Sequence, residues 1–128
     1  MLVKMETGAS GDSKIPFKVT VYSNRATINS QNFYLWNDNG TIKMHFEVDF
    51  TSATSLSANG AVLQGMIPFN PMAFDTLITP DSGYTSVKWA IRASSSSPLT
   101  LNLTPNASVT SGKNMVFNQD IVCNFGNS

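Results

Sequence analysis

Thr41-Ile42-Lys43-Met44-His45-Phe46-Glu47-Val48-Asp49-Phe50 alternates apolar and polar residues without a break from Ile42 onward. Successive strand side chains point to opposite faces, so Ile42, Met44, Phe46, Val48 and Phe50 share one face. Lys43, His45, Glu47 and Asp49 share the other. A helix would scatter both sets around its circumference, so the stretch reads as a half-buried β-strand. Asp38-Asn39-Gly40 leads into it, and Asn-Gly readily supplies the positive φ angles of a tight hairpin.

Working outward, Phe17, Val19 and Val21 alternate with Lys18 and Thr20 as a first strand. Ala26 and Ile28 hint at a short one, and Phe33 to Trp36 is dense in aromatic residues. Downstream, Ser52 to Asn59 reads as a small-residue connection and Ala61 to Ile67 as a strand interrupted at Gly65. Pro68 and Pro71 bound an irregular crossing, because neither ring can donate to a ladder. Ala73 to Thr79 is a short strand, and Pro80-Asp81-Ser82-Gly83 is a turn. Thr85 to Ser94 turns Val87, Trp89, Ile91 and Ala93 inward, and Leu99, Leu101 and Leu103 alternate with polar residues. Pro105 to Lys113 is mostly turn. A last strand runs from Met115 to Phe125 with a polar interruption at Asn118-Gln119-Asp120.

That gives seven to nine short strands and no segment with helical spacing. The pattern fits an antiparallel β-sandwich or a small barrel. The expected architecture is an all-β, jelly-roll-like single antiparallel β-sandwich over residues 15–128. Residues 1–14, rich in Gly, Ser and Thr, read as a flexible N-terminal tail or linker.

Composition narrows the function classes. In 128 residues, eight basic and eight acidic side chains cancel, and charged residues are only 12% of the chain. There is no basic stripe for phosphates and no Lys/Arg cluster for anionic lipid, so neither nucleic acid nor a membrane is expected as partner. No stretch approaches the ~20 apolar residues of a membrane span, and no secretory leader is recognisable at the N-terminus. Ser, Thr and Asn make up about a third of the chain, as on many extracellular and virion-exterior β proteins. The single cysteine, Cys123, excludes an internal disulfide and a cysteine-based zinc site, and its alternation with Ile121 and Phe125 makes it a buried apolar residue.

Few constellations carry chemistry. His45 beside Glu47, with Asp49 and Lys43 on the same strand face, places alternate side chains ~6.5–7 Å apart. An imidazole and a carboxylate at that spacing could share a metal or form an acid/base pair. The same stripe is also what a solvated or subunit-facing strand face looks like, and no second histidine exists. No nucleophile elbow, phosphate loop or Cys/His cluster is present, so no catalytic residue, metal or cofactor is expected. The aromatic residues Tyr34, Trp36, Phe69, Phe74 and Tyr84 lie in or beside expected turns. Such rings stack on the apolar C–H faces of sugars while nearby carboxylates, here Asp38, Asp75 and Asp81, take hydroxyls. They could equally plug the ends of the sandwich or a subunit interface. The candidate ligand-binding residues are Trp36, Tyr84, Tyr34, Asp38, Asp81 and His45.

In its landmarks, the stretch Gly40 to Phe125 resembles the C-terminal β-domain of tail-fibre and baseplate receptor-binding proteins from phages of Gram-positive bacteria. Gly40-Thr41-Ile42-Lys43-Met44-His45-Phe46 matches the glycine that enters a long alternating strand, and Ile67-Pro68 the aliphatic-Pro step. Ser111-Gly112 matches a late polar turn, Phe125 a final phenylalanine, and Val19 to Trp36 the opening hairpin. Only Phe69-Asn70 separates Pro68 from Pro71, where that family has a charged and aromatic stretch, so its specificity loop does not carry over. The resemblance implies a homotrimeric module of the virion tail, synthesised in the host cytoplasm. It would contact other tail proteins and attach to the cell-surface carbohydrate of a bacterial host, without catalysis. The alternatives are a structural or trimerisation module of the tail, and a carbohydrate-binding module of a bacterial protein.

Overall fold

The hairpin that Asn39-Gly40 turns is the longest feature of the chain in the computed structural model, which describes residues 14–66, 74–93 and 100–123. Its two strands are β3 (Ala26–Asp38) and β4 (Thr41–Ser52). They meet at Asp38 and Thr41 across a two-residue loop. Asn39 (φ 55°) and Gly40 (φ 91°) both take the left-handed conformation that such a loop needs. The Gly40 N–H donates to the Asn37 side-chain oxygen at 2.6 Å. Met44, Phe46, Val48 and Phe50 are buried as the alternation requires.

Among the described residues, ten antiparallel strands form two five-stranded sheets, with no helix. The remaining strands are β1 (Ile15–Phe17), β2 (Val19–Val21), β5 (Leu63–Met66), β6 (Phe74–Ile78), β7 (Ser82–Gly83), β8 (Trp89–Ala93), β9 (Thr100–Pro105) and β10 (Asn114–Cys123). Sheet A has the order β1-β3-β4-β10-β7 and sheet B the order β2-β5-β9-β8-β6. The protein is an all-β antiparallel sandwich, with β4 in the middle of sheet A.

The strand count exceeds the expected seven to nine for two physical reasons. The Phe17 to Val21 run serves both sheets: Phe17 pairs with Phe33 in sheet A, and past Lys18, Val19 pairs with Gly65 in sheet B. Ser82-Gly83, read as a turn, also bonds along β10 as β7. Elsewhere, expected breaks close up. The fragments around Ala26 and Phe33 are one strand, with Asn29 as an extra, bulged residue between Ile28 and Ser30. β5 runs through Gly65 without interruption. The polar Asn118-Gln119-Asp120 does not break the last strand, because Asn118 and Asp120 simply occupy its outward positions.

Between the sheets lies one core. Phe33, Phe46, Phe50 and Phe117 come from sheet A, and Leu63, Trp89, Ile91, Leu101 and Leu103 from sheet B. Trp89 is fully buried and meets Phe50 and Phe117 edge-on, with ring centroids 5.4 and 6.2 Å away. Leu56 and Val109, in segments read as connection and turn, are also core residues and pair as an isolated bridge.

Candidate functional site

The outer face of sheet A collects the polar residues of β4. On β3, Phe33 and Leu35 are buried, so Tyr34 and Trp36 point outward with them. Register then fixes the neighbours: Tyr34 lies opposite His45, which lies opposite Asp120, and Trp36 lies opposite Lys43, which lies opposite Val122. Directly opposed residues on one face have their side chains in contact range.

His45 is the centre of this face. Its Nδ1 lies 2.8 Å from Asp120 Oδ1 and its Nε2 2.8 Å from Glu47 Oε1. A neutral imidazole carries one N–H and an ionised carboxylate only accepts, so both contacts are hydrogen bonds only when the ring is an imidazolium. The side chain is just 16% exposed. Burial opposes its charge, but the two carboxylates outweigh that cost and raise its pKa above the ordinary histidine value. The Tyr34 ring stacks on the imidazole at 4.8 Å and 18°, and Lys14 Nζ sits 4.8 Å from the centre of the same phenol. Trp36 leans on Tyr34 with centroids 5.5 Å apart.

The rest of the stripe is also engaged with neighbouring strands. Lys43 Nζ pairs with Asp38 at 2.7 Å, and that hydrogen bond, with the charge of Asp38, raises the lysine pKa. Asp49 Oδ1 accepts from the Asn29 amide at 3.1 Å and from the Asn114 amide at 2.7 Å. The face is thus a knitted polar layer bearing two adjacent outward rings and one exposed aliphatic residue, Val122.

Four of the six candidate residues, Tyr34, Trp36, Asp38 and His45, meet here. Tyr34 and Trp36, expected in or beside a turn rather than in an alternating strand, lie within β3 shortly before its turn; alternation is invisible in Phe-Tyr-Leu-Trp because every residue is bulky and largely apolar. Asp81 and Tyr84 flank β7 at the far edge of the sheet. Tyr84 donates its N–H to Asn114, which sits opposite Thr51, eight residues along β4 from Lys43. That is about 25 Å along the strands from Trp36. Tyr84 is half-buried against the core under Lys113 Nζ. Asp81 Oδ2 accepts from the Asn118 N–H at 2.6 Å and the Gln119 amide at 3.0 Å, holding β7 to β10. Phe69 lies outside the described residues, as do the side chains of Phe74 and Asp75.

Asp120 and Val122 are residues of this face that the sequence did not single out as candidates. The signal was the outward alternation of Asn118, Asp120 and Val122, which reads as a site only once β10 is paired with β4. Among the described residues, no three His, Cys, Asp or Glu side chains are grouped to hold a metal ion. Burial pushes the Cys123 thiol up to about 12, which leaves it unreactive near neutral pH. Two clefts of about 280 and 350 Å³ flank Phe17 and Lys18, and none of the six candidate residues lines either. Comparison with protein-family models, curated proteins and solved structures found no match for this chain.

Proposed function

We propose that the chain is an attachment module whose outer sheet-A face binds a saccharide of a bacterial cell surface. The observation that carries this reading is the adjacency of the Tyr34 and Trp36 rings to Asp38, Lys43, Glu47 and Asp120 on one shallow face. Pyranose rings present apolar C–H faces to aromatic rings and hydroxyls to carboxylate and ammonium groups. Such a face fits a sugar lying flat rather than a small molecule enclosed in a pocket. The resemblance to phage receptor-binding proteins adds the setting: a homotrimer on a virion tail, in which three weak sites act together because linkage raises effective concentration.

The same face supports a second reading, a structural contact between tail subunits. The observation favouring it is Val122, 56% exposed in the row of Trp36 and Lys43. An array of purified cell-wall polysaccharides from Gram-positive bacteria, probed with wild-type protein and Trp36→Ala, separates the two. Attachment requires retention by the wild type and its loss in the variant at unchanged solution mass. A variant that drops from trimer to monomer, with no polysaccharide held by either protein, supports the structural contact.

A further inference from the structure

The carboxylates and rings of this face come from three strands, and one side chain links all three strands. His45 on β4 bonds Asp120 of β10 through Nδ1, bonds Glu47 through Nε2, and lies against the Tyr34 ring of β3. We infer that His45 is the positioning residue of the face: as an imidazolium it fixes both carboxylates and the Tyr34 ring, and loss of its proton releases one carboxylate and weakens saccharide binding. This inference rests on the saccharide reading of the same face.

The physical step is a count of donors. With two N–H groups the ring satisfies both carboxylates; with one it satisfies a single carboxylate and turns a lone pair toward the other. That contact becomes repulsive, and the side chains can relieve it only by moving apart. Glu47 and Asp120 are 39% and 56% exposed, so water can receive whichever swings out. The stack changes as well, because the ring lying on Tyr34 is then no longer a cation.

The other charges facing His45 do not replace its proton. From β3, Asp38 is paired with Lys43. From β4, Lys43 feels Asp120 but hydrogen-bonds Asp38. Ahead of β1, Lys14 lies over the Tyr34 ring. Both shifts that reach this cluster point upward, for His45 and Lys43, in keeping with an excess of carboxylate around them.

His45 is the only histidine of the chain, so its imidazole signals in an NMR titration are unambiguous. The test follows that titration and, on the same pH scale, retention on the array of Gram-positive cell-wall polysaccharides. The expected result is a wild-type imidazole titrating above the ordinary range near 6.5, and binding that falls about 5-fold or more through that pH. Asp120→Asn and Glu47→Gln should each lower the imidazole pKa, and His45→Gln should bind with no such pH dependence. An imidazole titrating at or below the ordinary value overturns the inference, and so does binding that stays level while the imidazole titrates high. Retention of no polysaccharide at any pH instead removes the saccharide reading, and the inference with it. The wild-type measurements decide the matter even where a variant does not fold.

Discussion

Tyr34 and His45 lie ring on ring across β3 and β4, with centroids 4.8 Å apart and planes 18° from parallel. Two aromatic planes this close to parallel on neighbouring strands need a reason, and the imidazolium supplies one, since a cationic ring is drawn to the face of a phenol. The pair joins the apolar half of the candidate face, Tyr34 and Trp36, to its charged half, Glu47 and Asp120. The geometry at His45 therefore bears on the stability of sheet A and, if the face binds saccharide as proposed, on that contact as well.

Stability should fall as pH rises past the histidine range. The folded-state pKa of His45 is raised above its unfolded value near 6.5, so the folded chain holds the proton more tightly. This contribution is complete below about pH 6.5 and is lost as pH rises through the raised folded value. The half-exposed carboxylates limit it to about 1 kcal/mol. Urea midpoints measured between pH 5.5 and 8.5 should slope downward for the wild type and lie flat for His45→Gln. Cys123, whose folded pKa of about 12 is also raised, adds a decline only above its unfolded value near 9.0, outside that window.

Trp36 and Tyr84 should separate on replacement by alanine. Trp36 stands outward on β3 against Tyr34, so its loss should abolish saccharide retention and move the thermal midpoint little. Tyr84 packs against the core beneath Lys113, and its removal should cost about 2–3 kcal/mol of stability. Saccharide retention by the folded fraction of Tyr84→Ala should equal that of the wild type. Loss of binding at an unchanged midpoint for Tyr84→Ala would move the ligand face to the far edge of the sheet.

What could be read in the sequence depended on how local the cause was. β4 was legible because its two faces differ in polarity at every step, and the Asn39-Gly40 turn because its backbone demand is local. The outward placement of Tyr34 and Trp36 was hidden, since an aromatic run carries no alternation; only their pairing with His45 and Lys43 reveals it. Asp120 was hidden for another reason. Its partner His45 is 75 residues away, and the pairing of β10 with β4 leaves no mark in either strand. Leu56 and Val109 likewise belong to the core, in segments joined by a bridge that no local pattern announces.

Gly40 and Gly83 both have positive φ, yet alanine should cost more at the second. A Cβ on Gly40 would meet nothing within 4 Å, leaving only backbone strain of about 1–2 kcal/mol. At Gly83 a Cβ would also press on the Asn114 carbonyl, so β7 must move off β10. Gly83→Ala should therefore exceed Gly40→Ala in lost stability and weaken hydrogen-exchange protection around Val116. Equal urea midpoints for the two variants would contradict this.

Ser52 closes the far end of β4, and its hydroxyl should be worth more than any other on that strand. The side chain is 2% exposed. Its Oγ donates to the Thr110 carbonyl at 2.8 Å and accepts the Lys113 N–H at 2.9 Å. Its backbone joins the same turn, donating to Lys113 and accepting from Gly112. Ser52→Ala keeps the backbone bonds but strips the Thr110 carbonyl and the Lys113 N–H of their buried hydroxyl partner, and a group left unmet costs about 1–3 kcal/mol when water cannot reach it. Water can relieve part of this at the exposed turn, so a loss of about 2 kcal/mol is expected. Thr54→Ala, two residues on and exposed, should stay within about 0.5 kcal/mol of wild type. If both variants unfold at the wild-type urea concentration, the turn at 110–113 is held by its backbone alone.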